Sequence, residues 1–333
     1  MNGRLGKTLV AVAVAVLVAQ PVSAKASMID LGTLGGVVSS AFDISNGGRV
    51  VGYSYTAESN VYHAYRWQDG MMRDLTPPSA IVSQASAINE RGQVVGLTFG
   101  GSWSTWRAVL WQDGATIDLG TLGGTSSQAV DINNRGQVVG TSTNAANAGR
   151  GFLWQDGVMI DLGTLGGLIA TVPTAINDRG QVVGAAFTGG GDQHAFLWQD
   201  GVMIDVGTLG GRWSFAYGIN NRGQVVGESS TAGGFEGPRR AFLWQDGLMT
   251  DLGTLGGAES GASDINDRGQ IVGGSSTVGG DQHAFLWQGG PMIDLGTLGG
   301  TRSFAYGINA RGQVVGESST AGQASHAFLY QAP

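Results

Sequence analysis

The four histidines of this 333-residue chain occupy one recurring position: His63, His194, His283 and His326, each followed by alanine and an aromatic residue. Arg107, Arg150 and Arg240 hold the same place elsewhere. No histidine is left over as a lone base or as the partner of a nucleophile. One reading is structural: a side chain at the start of a strand that bonds a neighbouring loop. The chemical reading is a circle of basic or titratable groups that attracts an anionic ligand.

The 25 acidic residues are just as regular. Most belong to three recurring places, typified by Asp161 of Met-Ile-Asp-Leu, Asp156 of Gln-Asp-Gly and Asp178 of Asn-Asp-Arg-Gly. Outside them stand Glu58, Asp192, Glu228, Glu236, Glu259, Asp281 and Glu317. Two of these at a separation of about 5–9.5 Å would suit glycoside hydrolysis. Glu228 and Glu317 match each other in two similar units, as do Asp192 and Asp281, which argues against a unique catalytic pair. Asp131-Ile-Asn-Asn-Arg-Gly and Asp264-Ile-Asn-Asp-Arg-Gly approach a calcium loop, but arginine replaces the third oxygen ligand and the distal bidentate acid is missing. No metal and no cofactor is expected. The absence of cysteine excludes disulfides and thiolate sites.

The elements that must position these residues come from a repeat. Seven units follow one another without gaps: 28–70, 71–114, 115–157, 158–201, 202–247, 248–290 and 291–333. Each has four short apolar segments, rich in Val, Ile and aromatics, separated by turn residues. In the fifth unit the spacing predicts strands at Val202–Val206 (D), Phe215–Ile219 (A), Gln224–Glu228 (B) and Ala241–Gln245 (C). Asn-X-Arg-Gly joins A to B, and Gln-Asp-Gly joins C to D; both suit tight hairpins. Gly-Thr-Leu-Gly-Gly reads as a longer link from D to the next A. Strand C, Ala-Phe-Leu-Trp, is apolar on both faces and therefore needs cover on both. Six recurring tryptophans, such as Trp154 and Trp198, with Tyr330 in the seventh place, read as packing between sheets.

An open stack would need polar caps, yet the terminal units are as apolar as the rest. The first unit also begins with a lone D strand, and the last ends on a C strand with no D strand after it. The expected fold is all-β: a seven-bladed β-propeller of four-stranded antiparallel blades, with the N-terminal strand closing the last blade. A β-solenoid is the alternative. On such a ring the B–C loops vary most, and variable loops on a rigid scaffold carry binding. Trp103, Trp106, Trp213, Arg212, Phe235 and Arg302 fall outside the repeat pattern and would decorate this side. Loop packing is their structural reading. An aromatic platform for a sugar ring or a protein partner is their functional one.

Residues 1–24 read as an export signal: Arg4 and Lys7, an apolar run from Leu9 to Ala19, Pro21, then Val-Ser-Ala. Residues 25–27 are a short linker. Without the signal, 16 basic residues face 25 acidic ones, an unsuitable balance for nucleic acid. No membrane insertion is expected after cleavage. The mature chain is expected to be a monomer outside the cell, with the periplasm as the other possible location.

The tripeptides His194-Ala195-Phe196, His283-Ala284-Phe285 and His326-Ala327-Phe328 occur with Asp-Leu-Gly-Thr-Leu-Gly-Gly and Ile-Asn-X-Arg-Gly-Gln-Val-Val-Gly. In these motifs the chain resembles the HAF family of probable extracellular repeat proteins, over essentially all of residues 28–333. The second unit departs most, with Leu75-Thr76-Pro77-Pro78 in place of the glycine-rich link. The resemblance implies a secreted bacterial repeat protein and carries no activity, substrate or catalytic residue. The expected function is a non-enzymatic binding scaffold for a carbohydrate or protein partner. A polysaccharide-degrading hydrolase or lyase, or a structural component of the envelope or matrix, is the alternative.

Overall fold

The computed structural model describes residues 27–57, 59–100, 103–167, 171–232 and 237–331. The export signal expected over residues 1–24 lies outside them. Among the described residues there are 28 strands, β1 to β28 in chain order. They form seven antiparallel blades, with blade 1 at 35–74, blade 2 at 82–118, blade 3 at 123–161 and blade 4 at 172–207. Blade 5 comprises β18 (Gly210–Ile219), β19 (Val225–Thr231), β20 (Arg239–Gln245) and β21 (Leu248–Asp251). Blade 6 comprises β22 (Gly256–Ile265), β23 (Ile271–Thr277), β24 (Gln282–Trp287) and β25 (Ile293–Asp294). Blade 7 is built from β26 (Gly299–Ile308), β27 (Val314–Thr320), β28 (Ser325–Gln331) and, at its outer edge, β1 (Ser27–Asp30).

The expected closure is present. β1 runs antiparallel to β28, with Ser27 opposite Gln331, Met28 opposite Tyr330, Ile29 opposite Leu329 and Asp30 opposite Phe328. The chain is a seven-bladed propeller whose first strand completes its last blade. Ser27, expected in the linker, is already paired.

The turns form as their residues dictate. In Gln-Asp-Gly, Asp156 and Gly157 have φ of 50° and 85°, the pair of positive values that a two-residue hairpin requires. Asp and Gly reach that region at low cost. The inner strands are longer than the apolar pattern predicts. In five of the blades the first strand begins within the glycine-rich link, as β18 does at Gly210, where bonds to the next strand continue past the apolar core. Each inner strand also carries a bulge, as between Ala41 and Asp43, which turns the following residue toward the ring axis. In blade 4 the bulge falls at Pro173, a place where a missing N–H is tolerated.

Two recurring residues hold the blades together. On the A–B side, Asn89 Nδ2 donates to the Asn133 carbonyl of the next blade. The same bond recurs from Asn133, Asn177, Asn220 and Asn266. Asn309 Nδ2 closes the circle on the Ser45 carbonyl of blade 1 at 3.1 Å. The Asn-X-Arg-Gly motif is thus a clasp between blades as well as a hairpin turn. On the B–C side, Ser39 Oγ accepts the Ala327 amide at 2.9 Å across the same seam, and equivalent serines do so at other seams. Between these bonds lie apolar clusters, each drawn from two neighbouring blades, as where Leu31, Ile44 and Val50 meet Val315 and Ala327.

Asn309 is 4% exposed, and its Oδ1 also accepts the amides of Arg311 and Gln313. Asn309→Ala leaves these groups unpaired and should lower unfolding stability by about 2–3 kcal/mol. Asn309→Ser, the residue blade 1 carries at the matching Ser45, should cost less. Urea midpoints of the two variants check this.

Candidate functional site

The histidine and arginine circle is already neutralised. His63, His194, His283 and His326 bond Asp74, Asp205, Asp294 and Asp30 through Nδ1 at 2.7–2.8 Å. Arg107, Arg150 and Arg240 pair with Asp118, Asp161 and Asp251. Each pair joins the third strand of a blade to its outer strand, and in blade 7 it ties β28 to β1. The aspartate's other oxygen accepts the backbone amide two residues on, as Asp205 does from Gly207 at 2.8 Å. The partner lies in the blade's own outer strand rather than in a neighbouring loop, and this position offers no uncompensated charge for an anion.

The two aspartates of the calcium-like motif, Asp131 and Asp264, face the ring axis together with Asp43 at the matching place in blade 1. Asp43, Asp131 and Asp264 line a narrow axial channel of about 130 Å³ with Tyr217, Ser263 and Tyr306. Each carboxylate accepts the next amide of its own strand and one from the following blade: Ile88, Ile176 and Ile308, at 2.7–2.9 Å. These aspartates are a third kind of clasp, present only in blades 1, 3 and 6. Burial pushes their carboxyls up, to about 6 for Asp43, about 8 for Asp131 and about 7 for Asp264. Repulsion adds to this, from Glu90 on Asp43, from Asp43 and Asp264 on Asp131, and from Asp43 on Asp264, and the backbone donors oppose it.

The five odd residues among the described ones are spread over blades 2, 5 and 7. Trp106, 38% exposed, packs on Phe99 in blade 2, with ring centroids 5.1 Å apart. Trp103 opens the same strand, and its side chain lies outside the described residues, as does the whole of Phe235. Trp213 stands on Phe215 in blade 5 (5.7 Å), and Phe215 is stacked on Tyr217. Arg212 pairs with Asp192 of blade 4 at 2.6 Å. Arg302 is exposed in blade 7. Trp106 and Trp213 sit three blades apart, so no single aromatic platform gathers them.

The concave site lies between blades 5 and 6, where the sequence pattern drew attention to none of the lining residues as a group. Tyr217, Glu228, Arg239, Glu259, Gln282 and Phe304 surround a hollow of about 250 Å³. Arg239 and Gln282 begin their strands directly after B–C loops, so the hollow belongs to that side of the ring. It shares Tyr217 and Ser263 with the axial channel. Tyr217 Oη donates to Glu228 Oε1 at 3.0 Å. Arg239 Nη2 holds Glu259 Oε2 at 2.7 Å, while its Nη1 is 3.8 Å from Glu228 Oε2, beyond hydrogen-bond reach. Burial pushes the Glu228 carboxyl up, against the Tyr217 hydrogen bond and the Arg239 charge.

Two glycines open this hollow. A Cβ on Gly261 would stand 2.9 Å from Glu228 Oε2, and one on Gly274 would stand 2.7 Å from the Phe304 ring. The tyrosine–glutamate pair recurs in blade 7, where Tyr306 Oη donates to Glu317 Oε1 at 3.0 Å. Blade 1, the neighbour there, has Ser40 and Tyr53 in place of the two glycines. Tyr53 packs on Phe42 and Tyr62, and Phe42 packs on Tyr306. A second hollow of about 470 Å³ lies on blade 7, lined by Arg302, Phe304, Glu317, Ser319 and Gln323. Phe304 is common to both hollows, and the bridge between Gln282 and Arg302 joins the blades beneath them.

The whole architecture has solved counterparts. The propeller domain of the Trilobed protease from Pyrococcus furiosus, described as having an open velcro topology, is similar with a TM-score of 0.58 at 10% identity, over 89% of this chain and 96% of that one. A chain of the mitotic checkpoint complex is similar with a TM-score of 0.54 at 12% identity, over 98% of this chain and 99% of that one. The acylaminoacyl peptidase of Pyrococcus horikoshii is similar with a TM-score of 0.55 at 13% identity, over 90% of this chain. This chain spans about half of that peptidase, 52% of its length. The shared feature is the propeller fold. At these identities the likeness extends to architecture alone. No family model matches the chain, and no curated protein is similar to it in sequence.

Proposed function

We propose that this protein is an exported, non-enzymatic propeller scaffold of the HAF type that binds a carbohydrate across blades 5 to 7 on its B–C side. The carrying observation is the hollow that Gly261 and Gly274 leave beside Glu228. At the same tyrosine–glutamate pair in blade 7 the following blade carries Ser40 and Tyr53 in place of the two glycines, so the opening over Gly261 and Gly274 is a local departure from the repeat. Its lining combines aromatic faces (Tyr217, Phe304) with hydrogen-bonding groups at fixed places (Glu228, Arg239, Gln282), the composition that suits a sugar ring. The neighbouring hollow behind Phe304 gives room for a further sugar unit, with Arg302 at its wall.

Gly261→Gln tests this reading. Blades 2 and 3 carry Gln84 and Gln128 at the matching place, so the residue fits the strand. It should fill the hollow, weaken carbohydrate binding by about tenfold or more, roughly 1.4 kcal/mol, and leave the melting temperature unchanged. Calorimetric titration with oligosaccharides selected on a glycan array measures the loss. A variant that binds as tightly as the parent would remove this site from consideration. Glu228, pushed up by burial and close to the charged Glu259 partner of Arg239, is the observation that favours the hydrolase alternative. Release of reducing ends from the bound oligosaccharide, abolished by Glu228→Gln, would establish that alternative instead.

A further inference from the structure

We infer that the hollow between blades 5 and 6 selects a sugar unit bearing an ammonium group, such as a glucosamine residue, with Glu228 as the receiving carboxylate. The inference rests on the carbohydrate reading above and goes further in naming the sugar's charge. Three observations carry it. First, Glu228 Oε1 is engaged by Tyr217, whereas Oε2 points to the space over Gly261 and no described donor reaches it within hydrogen-bond distance. Oε2 therefore faces the hollow, where a donor on a ligand can reach it. Second, the one cation among the described lining residues is already committed. Arg239 is drawn to Glu259 at 2.7 Å and stays 3.8 Å from Glu228. Among the described lining residues two carboxylates stand against one guanidinium, one negative charge in excess, which a single ammonium group balances. Third, Tyr217 and Phe304 supply ring surfaces, which attract a cation as well as the apolar face of a sugar.

An ammonium group has three donors and suits this arrangement better than a hydroxyl: one N–H for Glu228 Oε2, and the others free for further acceptors in the lining. A sugar carboxylate would meet the wrong sign. The size also fits: at about 250 Å³ the hollow is smaller than a drug-sized pocket and takes one ring at a time.

The test compares four ligands on the full protein by calorimetric titration: a glucosamine trimer, its N-acetylated form, a glucose trimer of the same linkage, and cadaverine as a plain diamine. The glucosamine trimer is expected to bind about tenfold tighter than either neutral trimer, the gain of one charge-assisted bond in a partly buried site. Glu228→Gln should erase that preference, so that on the variant the glucosamine trimer binds no tighter than the neutral trimers. Should the variant fail to fold, the ranking of ligands on the unaltered protein decides. Equal affinity for all three trimers would overturn the ammonium assignment and leave the carbohydrate reading standing. Cadaverine binding as tightly as the glucosamine trimer would overturn the sugar assignment. No binding by any trimer would overturn both readings.

Discussion

Deletion of residues 27–31 is expected to lower the melting temperature by on the order of 10 °C or more. β1 is the outer strand of blade 7, and its four residues pair with Phe328 to Gln331. Leu31 is 7% exposed and belongs to the cluster joining blades 7 and 1, while Met28 packs on the core of blades 6 and 7. Losing these two side chains alone costs about 3–6 kcal/mol of burial. The Asp30–His326 pair and the bond from the Leu31 amide to the Ala327 carbonyl go with them. The deletion also leaves β28 as an exposed sheet edge, a template for association between molecules. Scanning calorimetry and light scattering on the truncated protein measure both effects. A truncated chain with unchanged melting and no aggregation would show that the seam at blade 7 does not need its fourth strand.

Stability is expected to fall as pH rises from about 4 to about 8, and the three axial aspartates are the cause. Asp43, Asp131 and Asp264 have folded-state values of about 6, 8 and 7, against 3.8 for a free aspartate. Between the two limits the folded protein retains protons that the unfolded chain has released. The unfolded state therefore binds fewer protons, and the slope of unfolding free energy with pH is negative. Below pH 3.8 both states are protonated, and above about 8 both are ionised, so the change is confined to that window. In structural terms, three carboxylates cannot all carry charge around one narrow channel without repulsion.

Asp131→Asn isolates the effect, because Asp131 is repelled by both of the others. Asparagine keeps one acceptor and cannot serve both Ile132 and Ile176. At pH 5 the variant should be less stable than the parent by about 1 kcal/mol for the unpaired amide. At pH 9 the order should reverse, since the variant has one charge fewer in the channel. Melting curves of both proteins across this range should cross. Parallel curves would mean that channel water screens the three groups enough to leave them ordinary.

The repeat alone determined the architecture. Strand count per unit, hairpin chemistry and the unmatched first and last strands are properties of local sequence, and each local choice agrees with closure. Gln-Asp-Gly needs two positive φ values wherever it stands, and Met28–Leu31 has no D-strand role except to complete Ser325–Gln331. The clasps were harder to read. Asn309 resembles any hairpin asparagine until the ring brings Ser45 to it, and the His–Asp pairs appear only when the outer strand is laid beside the third. The site was not legible at all as a site. Glu228 and Glu317 look equivalent along the chain, as do Tyr217 and Tyr306. Their difference lies in the following blade, which offers Gly261 and Gly274 to one pair and Ser40 and Tyr53 to the other. A glycine in a glycine-rich chain carries no signal of its own. Only packing of one sheet on the next turns its missing side chain into a cavity, and that packing joins residues some 30 to 50 positions apart in one case and at opposite ends of the chain in the other.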